Sequence, residues 1–176
     1  MGGNQWYKNR EGVIRILARL LASRPDLTGA LKLVMAGKPP TEAMLHLVSK
    51  ENLNGMVFFL GKVSNEQLCA LYSSAEALVF PSLREGFGWP ILEAQACGCP
   101  VVTSDRPPMN HLGGTAALLA NPEDPDDFAG RLRELLAEDD GARLRRKNEA
   151  LRHAARYDPQ SFIEAVLRAY GTTLQV

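Results

Sequence analysis

Ala77-Leu78-Val79-Phe80-Pro81-Ser82-Leu83-Arg84-Glu85-Gly86-Phe87-Gly88-Trp89-Pro90-Ile91-Leu92-Glu93 is the stretch that decides the fold. A short apolar run is cut by Pro81, two glycines follow, and a second proline sits where a helix opens, so the order is strand, loop, helix. Gly86 and Gly88 remove side chains where backbone amides could approach an anion closely. Pro90 then starts a helix whose first free N–H groups and positive dipole end favour a phosphate. Glu93 falls about one turn inside that helix, placed to accept hydrogen bonds from neighbouring hydroxyls such as those of a ribose. Glu85, ahead of the glycines, could serve hydroxyls on the other side of the phosphates. Two carboxylates would repel a bare phosphate, and they make sense if the ligand carries sugars at both ends. Spacing alone fits equally well a tight connection with two solvated glutamates.

Outward from this stretch, short apolar runs alternate with helical patterns, the signature of βαβ units. The first pattern, 12–23, puts Val13, Ile14, Leu17, Leu20 and Leu21 on one face and leaves Arg15 and Arg19 outside it. Strands are predicted at 31–36, 56–60, 77–80, 100–103 and 116–120. Thr41 reads as the N-cap of a helix running to about Asn52, and Ser64 with Gln67 as a capping box. Gly98 marks the end of the helix that Pro90 starts. Further helices are predicted at 125–137, 143–155 and 160–170. The expectation is one α/β domain over 1–176, a doubly wound and mainly parallel sheet with helices on both faces. Ligands of such sheets bind beyond the carboxyl ends of the strands. One feature stands out of pattern: Gly2-Gly3 leads into a helix with no strand before it, so the chain reads as starting just inside a larger protein.

Composition supports this class. The 176 residues are 45% hydrophobic and 23% charged, enough for a real core. Twenty basic residues meet twenty acidic ones, which argues against a nucleic-acid grip by bulk electrostatics. No apolar run reaches the roughly 18 residues of a membrane span, and residues 1–8 carry no apolar signal region. The expectation is a soluble, cytoplasmic protein. Of the three cysteines, Cys69 stands alone and Cys97-Gly98-Cys99 is too tight for ordinary zinc spacing, so all are expected as reduced thiols and no metal site is assigned. Asp124-Pro125-Asp126 spells a DxD, but it precedes a helix, where Asp is a natural N-cap. The Arg143-Leu144-Arg145-Arg146-Lys147 run, balanced by Glu134, Glu138, Asp139 and Asp140, is expected as a solvated helix face. Contact with anionic lipid headgroups is the minor alternative for that run.

Glu85 and Glu93, inside the block from Pro81 to Val102 that ends Ala94-Gln95-Ala96-Cys97-Gly98-Cys99-Pro100-Val101-Val102, resemble the glutamate pair of group 1 glycosyltransferases, the retaining GT-B enzymes of glycosyltransferase family 4. The resemblance continues in Val57-Phe58-Phe59-Leu60-Gly61-Lys62-Val63-Ser64, Leu71-Tyr72-Ser73-Ser74-Ala75, Ala116-Ala117-Leu118-Leu119 and Asn121-Pro122. It covers nearly the whole chain as the family's C-terminal, donor-binding domain, a Rossmann-like half of a two-domain enzyme.

The resemblance implies a role for each matching residue. Glu85 matches the catalytic-site glutamate that contacts the transferred sugar, and Gly86, Phe87 and Gly88 match the loop whose amides touch that sugar and the diphosphate. Glu93 matches the glutamate on the ribose hydroxyls, Val63 lies in the turn lining the nucleobase, and Lys8 resembles the lysine that neutralises the diphosphate. Asn4 stands where the family has an arginine, with Arg10 as a substitute from another angle. His111 stands where a glutamate is common and is expected as a surface or helix-capping residue, and Trp89 replaces an aliphatic residue. The implied partners are a nucleoside diphosphate sugar, a separate N-terminal acceptor-binding domain, and a glycan or lipid-linked acceptor at the inner face of the membrane. The implied chemistry needs no metal or cofactor. The alternative is a non-catalytic nucleotide-sugar-binding module, which the absence of an arginine at position 4 favours.

Overall fold

Three apolar clusters organise the chain, and one helix joins two of them. The structure, a computed structural model, describes residues 4–158; the helix predicted at 160–170 lies outside the described residues. Helix α1 (Arg10–Ser23) sends Ile14, Leu17 and Leu21 toward α2 (Glu42–Lys50) and Met35 of strand β1 (Leu33–Ala36). Its Ile16 and Leu20 face a second cluster with Val102, Ala120 and Phe128. Ile16 was missing from the one-face reading of α1 because this helix is apolar toward two neighbours. Complete burial of a side chain such as Ile14 or Phe128 is worth roughly 1.5–3 kcal/mol each.

Strand β2 (Val57–Gly61) pairs with β1, and helix α3 (Asn65–Ser74) follows it. Strand β3 (Leu78–Phe80) leads to α4 (Trp89–Ala96), then β4 (Val101–Ser104), α5 (Met109–Gly113) and β5 (Ala117–Ala120). Helices α6 (Pro125–Leu136) and α7 (Asp140–Ala154) follow, and a 3-10 turn at Ala155–Tyr157 comes after α7. Every pairing is parallel, as predicted. The third cluster packs α4 and α5 onto β3 and β4 through Ile91, Met109, Phe80 and Val101. Helices α1 and α6 sit with the Val102–Ala120 cluster instead, so both faces are covered.

The strand pairing and the helix count also differ from expectation. The ladder is in two parts, β1-β2 and β3-β4-β5, rather than one continuous sheet. Helix α5 was not predicted, because only Met109 and Leu112 of its five residues form an apolar face.

Capping explains where the helices begin. Thr41 Oγ1 accepts from Met44 N, and Ser64 with Gln67 forms the reciprocal box the sequence predicted. Asp124 accepts from the amides of Asp126 and Asp127, so the DxD triplet is a helix cap. Gly98, at φ +71°, ends α4 in a Schellman turn: Cys99 N donates to Ala94 O and Gly98 N to Gln95 O. The start of α4 is one residue earlier than predicted, with Trp89 first and Pro90 second. Among the described residues, no helix is long and apolar enough to cross a membrane.

Candidate functional site

The loops that follow β1, β2 and β3 lie at the carboxyl ends of parallel strands, and the residues singled out in the sequence gather there. Residues 4–9 lie across two of these loops. Asn4 Nδ2 donates to Pro39 O beyond β1, and Leu83 N beyond β3 donates to Tyr7 O. Asn9 Nδ2 clamps the same region, donating to Pro81 O and Pro122 O.

This clamp brings Lys8 to Glu85, although 77 positions separate them. Lys8 Nζ donates to Glu85 Oε1 at 2.8 Å and to Oε2 at 2.6 Å. The lysine side chain is 20% exposed and the glutamate 8%, so the pair is largely withdrawn from water. Lys8 and Glu85 thus meet at this edge, and Lys8 holds a carboxylate here where the resemblance gave it a phosphate.

From Glu85 the chain turns into α4. Among the described residues, the backbone N–H groups of Gly86, Phe87 and Gly88 have no hydrogen-bond partner. Gly88 sits at φ +114°, ψ 38°, which an L side chain resists, and a Cβ there would lie 3.2 Å from Leu112 Cδ1. The turn that aims these amides therefore depends on glycine. Free amides ahead of a helix dipole make an anion-binding concavity. Phe87 and Trp89 pack ring to ring at 4.7 Å over the loop, with Trp89 61% exposed.

Glu93 lies in the second turn of α4, half-buried, and accepts from the Tyr72 hydroxyl at 3.3 Å. Burial, and then the Glu93 charge beside it, pushes the Tyr72 hydroxyl pKa up, so it stays protonated and donating. Tyr72, on α3, was not among the predicted site residues. Val63 is half-buried in the turn between β2 and α3.

The remaining residues of interest have structural partners. Arg10 Nη1 donates to Asn4 Oδ1 and to Pro39 O, while its Nη2 is buried with no partner among the described residues. His111 is exposed in the middle of the five-residue α5. Cys69 does not stand alone: its sulfur lies 3.5 Å from that of Cys97, both thiols being free. Burial pushes the Cys99 thiol up to about 12, which makes it an inert core group. In the basic run of α7, Arg146 pairs with Glu138 and Arg143 with Glu76, while Asp139 caps the helix. Among the described residues no group of His, Cys, Asp and Glu side chains converges as a metal site would require.

Comparison with known proteins agrees with this architecture. The family described as glycosyl transferases group 1 matches residues 1–157. The chain is 32% identical over 176 residues to D-inositol 3-phosphate glycosyltransferase of Corynebacterium jeikeium, covering 97% of this chain and 42% of that protein. It is 39% identical over 98 residues to O-antigen chain mannosyltransferase B of Escherichia coli, covering 56% and 26%. Sucrose-phosphate synthase from Thermosynechococcus elongatus superposes with a TM-score of 0.75 at 26% identity, over 96% of this chain and 44% of that one. An Anabaena protein crystallised with UDP and glucose reaches 0.78 at 20% identity, over 95% and 45%, a likeness of fold alone. The chain spans less than half the length of these relatives. With its parallel sheet, its glycine turn into α4 and a family match over residues 1–157, the chain belongs to the group 1 glycosyl transferases.

Proposed function

We propose that this chain is the donor-binding half of a retaining glycosyltransferase, which takes a sugar from a nucleoside diphosphate and passes it to a glycan or lipid-linked acceptor held by a second domain. The observation that carries the proposal is the run of three amides, Gly86 to Gly88, that have no partner among the described residues, between a withdrawn Glu85 and the α4 carboxylate Glu93. The amides, the helix dipole and Lys8 stabilise the departing diphosphate, and such preorganised dipoles are usually the largest catalytic contribution. Glu85 orients the transferred sugar. Lys8 exchanges one Glu85 oxygen for a phosphate oxygen when the donor enters, which keeps both charges paired. Glu93 accepts from the ribose, with the Tyr72 hydroxyl holding its second oxygen.

A non-catalytic sugar-nucleotide sensor is the second reading, and Asn4 favours it. That side chain bonds Pro39 and Arg10 instead of supplying a positive charge. Turnover by the longer parent protein with mixed sugar nucleotides separates the two.

The test of donor binding is calorimetry of the 176-residue chain with UDP, GDP and ADP. UDP is a natural first probe, given the Anabaena complex. One of the three is expected to bind weakly. Glu93→Ala is expected to lose about 1.5–3 kcal/mol of that binding, roughly 10- to 150-fold, as charge-assisted bonds to the ribose vanish. Absence of binding to all three, or equal affinity of the variant, would overturn the assignment.

A further inference from the structure

Helix α3 has little to anchor it. Within 65–74 only Tyr72 is buried, Leu68 and Leu71 are half-buried, and the other side chains are exposed. It meets α4 through two side-chain contacts in step. Tyr72 donates to Glu93, and Cys69, one turn earlier on the same face of α3, meets Cys97 at the end of α4. The amide of Cys97 donates to Glu93 O at 3.2 Å, so the backbone of α4 sets the spacing of the two contacts. The sulfurs are 3.5 Å apart, with the Cys97 thiol donating to Cys69 Sγ. Cys69 is exposed, Cys97 is half-buried, and both are free thiols.

We propose that Cys69 and Cys97 form a hydroperoxide-responsive dithiol whose reversible disulfide locks α3 onto α4. The inference does not depend on the donor reading, and none of its readouts involves a nucleotide.

Accessibility assigns the order of events. Exposed Cys69 meets the peroxide first: its sulfur attacks one peroxide oxygen, the O–O bond breaks, water leaves, and Cys69 becomes a sulfenic acid. Cys97 then attacks the Cys69 sulfur, the S–O bond breaks, and the Cys97 proton leaves with hydroxide as a second water. Two thiols and one hydrogen peroxide thus give one disulfide and two waters, each sulfur losing one electron and the peroxide gaining both. Burial, and then the neighbouring Cys69, hold the Cys97 thiol above its ordinary pKa, which suits the thiol that waits for a sulfenic acid rather than the one that meets peroxide. Cys99 stays outside the pair, being buried and bonded to the Pro100 carbonyl. A covalent link at Cys69 supplies the anchor that α3 otherwise lacks, and it holds Tyr72, one turn away, against Glu93.

The test treats the reduced chain with hydrogen peroxide and follows it by tryptic mapping and amide exchange. Trypsin cuts after Arg84, between the two cysteines, so the peptide holding Cys69 should appear joined to the one holding Cys97. Alkylation in urea should then label one thiol, Cys99, and dithiothreitol should return all three. Exchange across 65–74 is expected to slow roughly tenfold or more on oxidation, and the urea midpoint to rise. Cys69→Ser, a change at an exposed position, should show neither effect. Cys97→Ser should trap the sulfenic acid on Cys69 as its dimedone adduct; if that variant fails to fold, dimedone present during oxidation of the parent chain reads the same adduct. A link confined to dimers, a bond to Cys99, dimedone on Cys97 in place of Cys69, equal exchange in the reduced and oxidised chains, or the same protection in Cys69→Ser would overturn the proposal.

Discussion

Glu85 is withdrawn from solvent while its two oxygens are held by a single lysine, and both residues depend on that arrangement. A carboxylate only 8% exposed loses much of its hydration and must recover it from Lys8. Lys8→Met therefore leaves a nearly buried, unpaired charge, and a loss of about 2–3 kcal/mol is expected, less than for a fully buried pair because the lysine is partly wet. Glu85→Gln is expected to be milder, and the double variant should recover part of the loss, giving a coupling of about 1–2 kcal/mol. Urea titration of the four proteins measures this; additive losses would show that the ion pair has no energetic weight. Glu85, Glu93 and the two glycines were legible in the sequence because they occupy one short stretch with a recognisable order. The Lys8–Glu85 and Tyr72–Glu93 pairs were not, since each joins side chains that meet only after helices and strands have packed. Cys69 and Cys97 are free thiols, as expected, but their approach to one another was hidden for the same reason.

Local chemistry predicted where elements begin and end better than it predicted what ties them together. Thr41, Ser64, Asp124 and Gly98 act within a turn of themselves, so their roles were readable without tertiary context. The start of α4 depends equally on one residue. Gly88→Ala is expected to cost about 1–3 kcal/mol of stability through its positive φ and the contact with Leu112. It should weaken nucleotide binding further by turning the loop amides; a variant that binds and unfolds as the parent does would count against the loop's strain. What fastens α7 to α4 was invisible in sequence. Gln95, fully buried, donates to Gly113 O, leaving its oxygen to accept from His153 Nδ1 at 2.8 Å. Burial, then repulsion from Arg156, holds the His153 pKa below its ordinary 6.5, with Glu149 opposing. The unfolded chain thus takes up this proton first as pH falls. The stabilisation is complete above about pH 6.5 and is lost progressively below it, toward the folded pKa. His153→Gln should flatten the fall in urea midpoint between about pH 7 and 5. An unchanged pH profile in that variant would assign the fall to other groups.

At the scale of the whole molecule, the α/β class and parallel order were legible from alternation, because each strand or helix announces its own period. The division of the sheet was not, because pairing between strands is a non-local property that no single segment encodes. That division leaves the proposed donor edge built: residues 4–9 are bonded to the loop after β3, which runs on into α4, within these 176 residues. Donor binding and sugar transfer should therefore separate. On the proposed function the acceptor is held by a second domain, and the chain by itself offers a single wall of the cleft. Nothing then fixes an acceptor hydroxyl in attack geometry, and nothing excludes water from the sugar. Positioning of that kind can be worth about 7–11 kcal/mol of barrier, so a correctly bound donor would still react at near-background rates. The expected outcome is nucleotide binding without transfer. A panel of sugar nucleotides, incubated with glycan and lipid-linked acceptors and this chain alone, checks it by product mass. Robust transfer that Glu85→Ala abolishes would mean that the acceptor site also lies within these residues, and the half-enzyme reading would fall while the donor site stood.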